Sequence, residues 1–171
     1  RGIDPYKRKN VFPIGYDINS SSAIFYVRDL KGNYVGSKAR SVQGKRFANS
    51  TGAKKSTYLY GAYELLQSTW QPHDPVWICE SEIDALTVWS RGGYAVAIGG
   101  SHISRIQLSI LTQLGVRRVI DGLDKDEAGR EGWKNFCTYV KGISTYNTKY
   151  PVNKKDINDL TDKEFFAIKI Y

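Results

Sequence analysis

The second half of the chain alternates short apolar runs with longer amphipathic stretches. Four apolar runs have the length of buried strands: residues 76–79, 94–98, 118–123 and 143–146. Three stretches between them have helical spacing: about residues 82–91, 104–114 and 127–140. Glycines and connections of two to six residues separate these runs, as in right-handed parallel crossovers. The pattern predicts an α/β fold with about four parallel strands and three flanking helices.

The first half has a different pattern, with short β-prone runs rich in Gly, Ser and Tyr. Residues 23–28 and 34–40 read as two strands, and Asp29–Asn33 between them reads as a turn. Two prolines in Gln71–Pro75 interrupt any continuing helix. We therefore expect a small β-rich unit over residues 1–73 and the parallel sheet over residues 74–171, which makes the whole chain α+β.

The charge is as uneven as the pattern. The 171 residues carry a formal net charge of +8, and residues 1–73 alone hold 12 Lys+Arg against 4 Asp+Glu. This excess indicates an anionic partner, with nucleic acid ahead of a membrane surface. Lys38 and Arg40 share one face of their predicted strand, and further cations follow in nearby loops: Lys45, Arg46, Lys54 and Lys55. Such a cluster holds phosphates or is simply a solvated surface.

Other classes of protein are disfavoured by composition. No apolar run approaches the roughly 18 to 20 residues that span a bilayer, and no signal-peptide layout begins the chain, so we expect a cytoplasmic protein with no membrane partner. Two cysteines are too few for a structural zinc site, and we expect both Cys79 and Cys137 to be buried. The chain begins with Arg and contains no Met, which suggests a piece of a longer product.

Acidic residues follow the predicted strands. Glu80 follows the first strand, Asp124 and Asp126 follow the third, and Asp156, Asn158 and Asp159 come after the fourth. The carboxyl ends of parallel strands form one edge, where ligands bind. An all-oxygen set selects a hard cation such as Mg²⁺ or Mn²⁺.

Each of these features also has a purely structural explanation. Asp124-x-Asp126 alone is equally typical of a turn or a helix N-cap. We interpret Asp84 as a first-turn helix acid and assign no role to Asp121. The turn at Gly99-Gly100-Ser101 is expected to open a helix and to offer N–H groups to a phosphate.

Three segments together resemble the signature motifs of the Toprim domain, which primases, topoisomerases and some nucleases share. They are Ile78–Leu86 (ICESEIDAL), Leu123–Arg130 (LDKDEAGR) and Lys155–Leu160 (KDINDL). With the upstream region from Arg28 to Gly61, they look most like the catalytic core of DnaG-type primases of the bacteriophage kind. The resemblance covers about residues 12–162.

This resemblance implies a Rossmann-like Toprim domain behind a small basic subdomain, and a DNA primase that makes short RNA primers from NTPs on single-stranded DNA. It implies Glu80, Asp124 and Asp126 as catalytic residues, which with Asp156 hold Mg²⁺ or Mn²⁺. The implied contacts to nucleotide and nucleic acid are Lys38, Arg40, Lys45, Arg46, Gly100, Ser101 and Lys155. The further partners implied are a replicative helicase and a zinc-binding primase module, in a bacterial or phage-infected host cytoplasm.

The chain departs from the family pattern at Ser81, where the family has Gly after the glutamate. It contains no P-loop sequence of the helicase type. Two alternatives stay open at this point: a Toprim nuclease or topoisomerase that cleaves DNA, and a non-catalytic nucleic-acid-binding module.

Overall fold

A computed structural model describes residues 12–44, 46–49 and 54–171. The first part is an antiparallel sheet in the order β1-β2-β3-β4. Its strands are β1 (Ile14–Asp17), β2 (Ser22–Arg28), β3 (Tyr34–Ser41) and β4 (Phe47–Asn49). The predicted hairpin is β2 and β3, and its turn is closed by the Asp29 carboxylate, which accepts hydrogen bonds from the backbone N–H groups of Lys31 and Asn33, both at 2.9 Å.

The connecting segment joins the first sheet to the second. Helix α1 (Ala62–Leu66) starts after Gly61, whose φ of +89° places it in the left-handed region that glycine adopts without strain. Just before it, Tyr60 forms an antiparallel bridge with Ala97, through N–H···O bonds of 3.1 and 2.9 Å. The segment thus pairs with the edge of the second sheet, and one continuous hydrophobic core contains residues of both sheets.

The second sheet is parallel, as the sequence predicts, and its strand order is β6-β5-β7-β8. Its strands are β5 (Val76–Cys79), β6 (Tyr94–Ala97), β7 (Arg118–Gly122) and β8 (Ser144–Tyr146). The helices are α2 (Glu82–Ser90), α3 (Arg105–Leu114) and α4 (Glu127–Tyr139). All four residues of β5 are buried, because this central strand is covered on both faces.

Beyond the parallel sheet the chain adds a short helix, as the sequence predicts from about residue 162, and a further strand pair that the pattern did not predict. Strands β9 (Thr148–Lys149) and β10 (Lys169–Ile170) pair antiparallel, and α5 (Asp162–Phe166) lies between them in sequence. The Phe165 ring packs 5.5 Å from the Trp77 ring and anchors α5 to the core.

One prediction about the cysteines is wrong. Cys79 is fully buried, as expected, but Cys137 is exposed. The preceding residue, Phe136, is buried, and one residue further along a helix the side chain has turned by about 100°.

Candidate active site

Three strands of the parallel sheet end at the same level, and Glu80 lies at that edge. Cys79 pairs in register with Ala97 and with Gly122, the last residues of β6 and β7. The backbone continues this pairing for one more step, since Gly99 N–H donates to the Glu80 carbonyl oxygen at 3.0 Å. The side chains that follow these strands therefore share one edge of the sheet, as parallel topology requires.

Glu80 is half-buried and interacts electrostatically with two other carboxylates. Burial raises the pKa of Glu80, and the negative charges of Asp124 and Asp126 raise it further, whereas Lys155 and Lys55 lower it. Carboxylates that raise the pKa of one another are close enough to interact in a poorly solvated space. Acids predicted from two separate motifs are thus close enough to affect one another.

The loop after β7 holds Asp124 and Asp126 by different means. Asp126 is the N-cap of α4, and its Oδ1 accepts from Gly129 N–H at 3.0 Å. This bond, followed by the contact with Lys155, lowers the pKa of Asp126. Burial raises the pKa of Asp124, with a further upward contribution from Asp156. One member of the Asp-x-Asp pair is therefore a helix cap, and both belong to the acidic edge.

Lys155 lies between the two aspartates. Its Nζ is 3.0 Å from Asp126 Oδ2 and 3.4 Å from Asp124 Oδ2. The hydrogen bond to Asp126 and the charge of Asp124 raise the pKa of Lys155. Within the residues that the structure describes, no three His, Cys, Asp or Glu side chains form a ready metal-binding group. Of the predicted set, Asp124 and Asp126 lie against the ammonium group of Lys155, which also lowers the pKa of Glu80.

The third motif reaches the same edge through a short 3-10 turn. Asp156 caps this turn, because its Oδ1 accepts from Asp159 N–H at 2.8 Å. Asn158 N–H donates to Asp84 Oδ1 at 3.3 Å. The Asn158 Oδ1 atom is buried and has no hydrogen-bond partner. A buried acceptor without a donor is costly, so this oxygen is a point where a bound group would be stabilised.

Asp84 belongs to the site, although we interpreted it from sequence as a helix acid only. It is 4% exposed, accepts from Ser81 Oγ at 2.5 Å and touches the third motif through Asn158. Burial raises its pKa to about 7, and Asp156 and Asp124 add to the shift. The spacing Ser81-x-x-Asp84 is that of a helix N-cap, and Ser81 does cap α2. This spacing explains Asp84 as a structural residue, so the sequence carried no signal for its place in the site.

Lys55 is a second site residue that the sequence did not single out from the other cations. Its side chain crosses the turn after β6: a Cβ on Gly99 would lie 3.3 Å from Lys55 Cβ, and one on Gly100 would lie 3.1 Å from Lys55 Nζ. The Lys55 carbonyl accepts from the buried Gln107 amide at 2.9 Å, which holds its backbone on α3. Only the tertiary fold brings this lysine to Glu80.

The turn Gly99-Gly100-Ser101 does not open a helix, contrary to our prediction. Helix α3 begins at Arg105 with Ser104 as its N-cap and Gln107 completing a capping box. The turn instead abuts α4, where a Cβ on Gly132 would lie 1.8 Å from the Ser101 carbonyl oxygen. Gly100 and Ser101 therefore stand beside the second motif, without a helix N-terminus behind them.

The predicted basic residues of the first sheet separate into two groups. Lys38 Nζ makes an ion pair of 2.7 Å with Glu82 Oε2, which is 4% exposed, so β3 is tied to α2. Arg40 lines a cavity of about 570 Å³ together with Ile83 of α2. Arg46 is exposed in the loop before β4, and Lys45 lies outside the described residues. The structure thus brings Lys38 and Arg40 to the second sheet and leaves Arg46 at the surface.

Comparison with protein families identifies this second sheet. A family model described as Toprim-like matches residues 77–161, the stretch that contains all three acidic motifs. This part of the chain is similar to Toprim-like domains. No curated protein matches the chain.

Solved structures extend the likeness to the first sheet. The primase fragment of the bacteriophage T7 primase-helicase protein is 25% identical, with a TM-score of 0.73 over 93% of this chain and 65% of that one. A DnaG catalytic core is 25% identical, with a TM-score of 0.67 over 84% and 49%. A DnaG primase catalytic domain bound to ssDNA is 24% identical, with a TM-score of 0.67 over 84% and 48%.

The predicted resemblance to a DnaG-type primase core with a Toprim domain is therefore confirmed, and so is the fold class. The chain spans about half to two thirds of the length of these solved chains. Across residues 12–44, 46–49 and 54–171, no helix is both long and apolar enough to cross a membrane.

Proposed function

We propose that this chain is the catalytic core of a DNA primase, a nucleotidyltransferase that joins NTPs into short RNA primers on a single-stranded DNA template. The observation that carries the proposal is the convergence of Glu80, Asp124 and Asp126 at one edge of a Toprim-like sheet, where burial and the charges of the two aspartates raise the pKa of Glu80. An acidic edge of this kind, in a chain whose other half is strongly basic, suits a reaction between a polyanionic template and nucleotides.

The oxygen chemistry of the acidic edge fits a divalent cation, although among the described residues its side chains do not form a ready group of three ligands. The donor set consists of oxygens only, and the unpartnered Asn158 Oδ1 adds a neutral acceptor to it. Glu80, Asp124, Asp126 and Asp156 would hold Mg²⁺ or Mn²⁺, and Lys155 would then turn away from the aspartates it now bridges. Such an ion neutralises the charge that develops on the α-phosphate and the leaving pyrophosphate.

The chain's own residues supply the other requirements of the reaction. Glu80 has a raised pKa, which suits it to accept the proton of the attacking 3′-hydroxyl. Lys55, lying over Gly99 and Gly100, would pair with the triphosphate, and the open backbone of Gly100 and Ser101 allows close approach. Opposite charge at the leaving group stabilises it as the bond to the α-phosphate breaks.

We assign the template to the basic first sheet. Arg40 and the cavity that it lines lie between β3 and α2, and Arg46 extends the positive charge at the surface. Lys38, Lys45 and Lys155 complete the set that we propose for nucleotide and nucleic acid. Contacts to phosphates predict binding that weakens steeply with salt and is largely independent of sequence.

The same reasoning extends to the organisation of the protein. We propose residues 1–73 as the basic subdomain and residues 74–171 as the Toprim domain. A replicative helicase and a zinc-binding module are proposed as partners, because solved relatives include a primase-helicase protein and a primase with zinc-binding and RNA polymerase domains. We place the reaction in the cytoplasm of a bacterium or a phage-infected host.

The test is primer synthesis on single-stranded DNA with labelled ribonucleotides, in Mg²⁺ and in Mn²⁺. The wild-type chain, supplied with a zinc-binding primase module in trans, is compared with Asp124→Asn and with the control Glu131→Gln, whose side chain is exposed on α4. Short RNA products that disappear only in Asp124→Asn support the proposal. DNA cleavage without RNA product would establish the nuclease alternative. If the wild-type chain neither makes RNA nor cleaves DNA, the remaining alternative is a non-catalytic binding module.

A further inference from the structure

Lys125, the middle residue of Asp124-Lys125-Asp126, pairs with an acid of strand β7, Asp121. Its Nζ forms an ion pair with the carboxylate of Asp121, and the side chains are 19% and 10% exposed. The same Nζ lies 4.6 Å from the centre of the Tyr150 ring, within the range of a cation–π contact. The ammonium group of Lys125 is thus held by Asp121 and Tyr150, next in sequence to the two aspartates that we assign to the metal, Asp124 and Asp126.

Asp121 is itself held rigidly. It lies in β7 opposite Ile78 of the central strand β5, and its carbonyl oxygen accepts from Thr148 Oγ1 at 2.7 Å. Its Oδ1 accepts from Leu123 N–H at 3.2 Å, while the other oxygen meets Lys125. The anchor for Lys125 therefore belongs to the sheet and not to the loop.

The backbone of Lys125 is fixed from two sides as well. Its N–H donates to the Lys155 carbonyl oxygen at 2.8 Å, which joins the second motif to the third. Its carbonyl oxygen accepts from Arg130 Nη1 at 2.7 Å. These backbone bonds and the ion pair with Asp121 fix the orientation of Lys125 in the loop. The loop is therefore restrained from rotating in a way that would exchange Lys125 with Asp124 or Asp126.

An ion pair this deep carries a desolvation cost, and an apolar pair of the same volume would often be as stable. What an ion pair adds is conformational specificity, because each charged side chain must point at its partner. We infer that the Asp121–Lys125 pair, seated against Tyr150, is a positioning device that orients Asp124 and Asp126 toward the metal. This inference rests on the proposed function, since it concerns the ion that those aspartates would hold.

The experiment measures Mn²⁺ binding by the electron paramagnetic resonance signal of free Mn²⁺, so that it does not depend on catalysis. Lys125→Met keeps the length of the side chain and removes its charge. Coulomb attraction alone predicts tighter Mn²⁺ binding, because a cation beside the site is gone. Loss of positioning predicts the opposite, and we expect Mn²⁺ to bind about tenfold more weakly, the size seen when groups behind metal ligands are removed.

Lys134→Met, at an exposed position of α4, is the matched control for loss of one positive charge and should bind Mn²⁺ as the wild type does. Mn²⁺ binding to Lys125→Met that equals or exceeds that of the wild type would overturn the inference. Wild-type protein that binds no Mn²⁺ would instead refute the metal site of the proposed function, so the two failures are distinguishable.

A second variant covers the case in which Lys125→Met leaves Asp121 unpaired and does not fold. Asp121→Asn combined with Lys125→Met removes both charges, keeps the net charge and leaves no buried ion without a partner. After circular dichroism has shown that this double variant is folded, we expect the same weakening of about tenfold. Wild-type affinity in the folded double variant would show that the pair does not orient the aspartates.

Discussion

Gly129 lies so close to Asp124 that a Cβ on the glycine would stand 2.0 Å from the Asp124 carbonyl oxygen. No side chain is compatible with that distance, so the first turn of α4 can fold onto the loop of the second motif only because residue 129 is glycine. The Gly129 N–H group then reaches Asp126 Oδ1 at 3.0 Å. One glycine thus determines the position of both aspartates.

We therefore expect Gly129→Ala to displace α4 from the loop, to lower the free energy of unfolding by about 2 kcal/mol or more, and to abolish primer synthesis. Urea unfolding and the primer assay measure the two effects. Gly44→Ala is the control for stability, because nothing lies within 4 Å of a Cβ at that position. An alanine variant as stable as the wild type would contradict the close contact.

Asp84 predicts a dependence of stability on pH in the absence of metal. Its pKa is raised from 3.8 to about 7 by burial, so the folded state holds this proton more tightly than the unfolded state does. The resulting stability is fully present below about pH 4 and is lost as the pH rises through 7, and it amounts to roughly 4 kcal/mol at most.

Asp84→Asn removes this contribution, so its urea midpoint should fall less than that of the wild type between pH 4 and pH 8 in EDTA. The other acids with raised pKa, such as Glu80 and Asp124, act in the same direction in both proteins and cancel in the comparison. The exposed Glu131→Gln serves as control and should follow the wild type. Equal slopes for wild type and Asp84→Asn would mean that Asp84 does not bind its proton at neutral pH.

Arg91, the residue that follows α2, connects this helix to the third motif through hydrogen bonds. Its guanidinium donates to the carbonyl oxygens of Ile157 and Leu160 at 3.3 and 2.6 Å, and pairs with Asp162 at 2.9 Å. Charged hydrogen bonds of this kind contribute about 1.5 to 3 kcal/mol. We expect Arg91→Lys, which keeps the charge but not the forked geometry, to lose an amount of this order.

Hydrogen exchange locates the effect of Arg91→Lys. The amide of Leu160, which bonds to the Ile157 carbonyl oxygen at 3.2 Å, should exchange faster in the variant, whereas amides of β5 should not change. Arg105→Lys, at an exposed position in α3, provides the matched control. Unchanged protection at Leu160 would show that the turn holds its position without Arg91.

Lys55 and its neighbour Lys54 form a natural pair for testing the nucleotide site. Lys55 lies against the Gly99-Gly100 turn. We expect Lys55→Met to raise the KM for NTP about tenfold or more, because one charged contact contributes about 1.5 kcal/mol. The KM of Lys54→Met should stay near that of the wild type. Steady-state primer synthesis at varied NTP measures both values. Equal effects of the two substitutions would indicate general electrostatic attraction and not a specific contact.

Local pattern was sufficient to predict most of the fold. The apolar runs at 76–79, 94–98 and 118–123 became β5, β6 and β7, because strands buried on both faces leave continuous apolar runs. The turn Asp29–Asn33 was predictable because its hydrogen bonds lie within five residues. The predicted helix opening at Gly99-Gly100-Ser101 was wrong, because Ser104 and Gln107 form a stronger cap three residues later.

By itself, then, the sequence determined the parallel topology, the uneven charge and the edge at which Glu80, Asp124 and Asp126 meet, since the alternation of strands and helices and the position of each acid after a strand can be read along the chain. The tertiary structure alone decided the contacts between residues far apart in sequence. It placed Lys38 on Glu82, 44 residues later, and Asn158 on Asp84, 74 residues earlier. Such pairings depend on which surfaces pack together, and no local period encodes them.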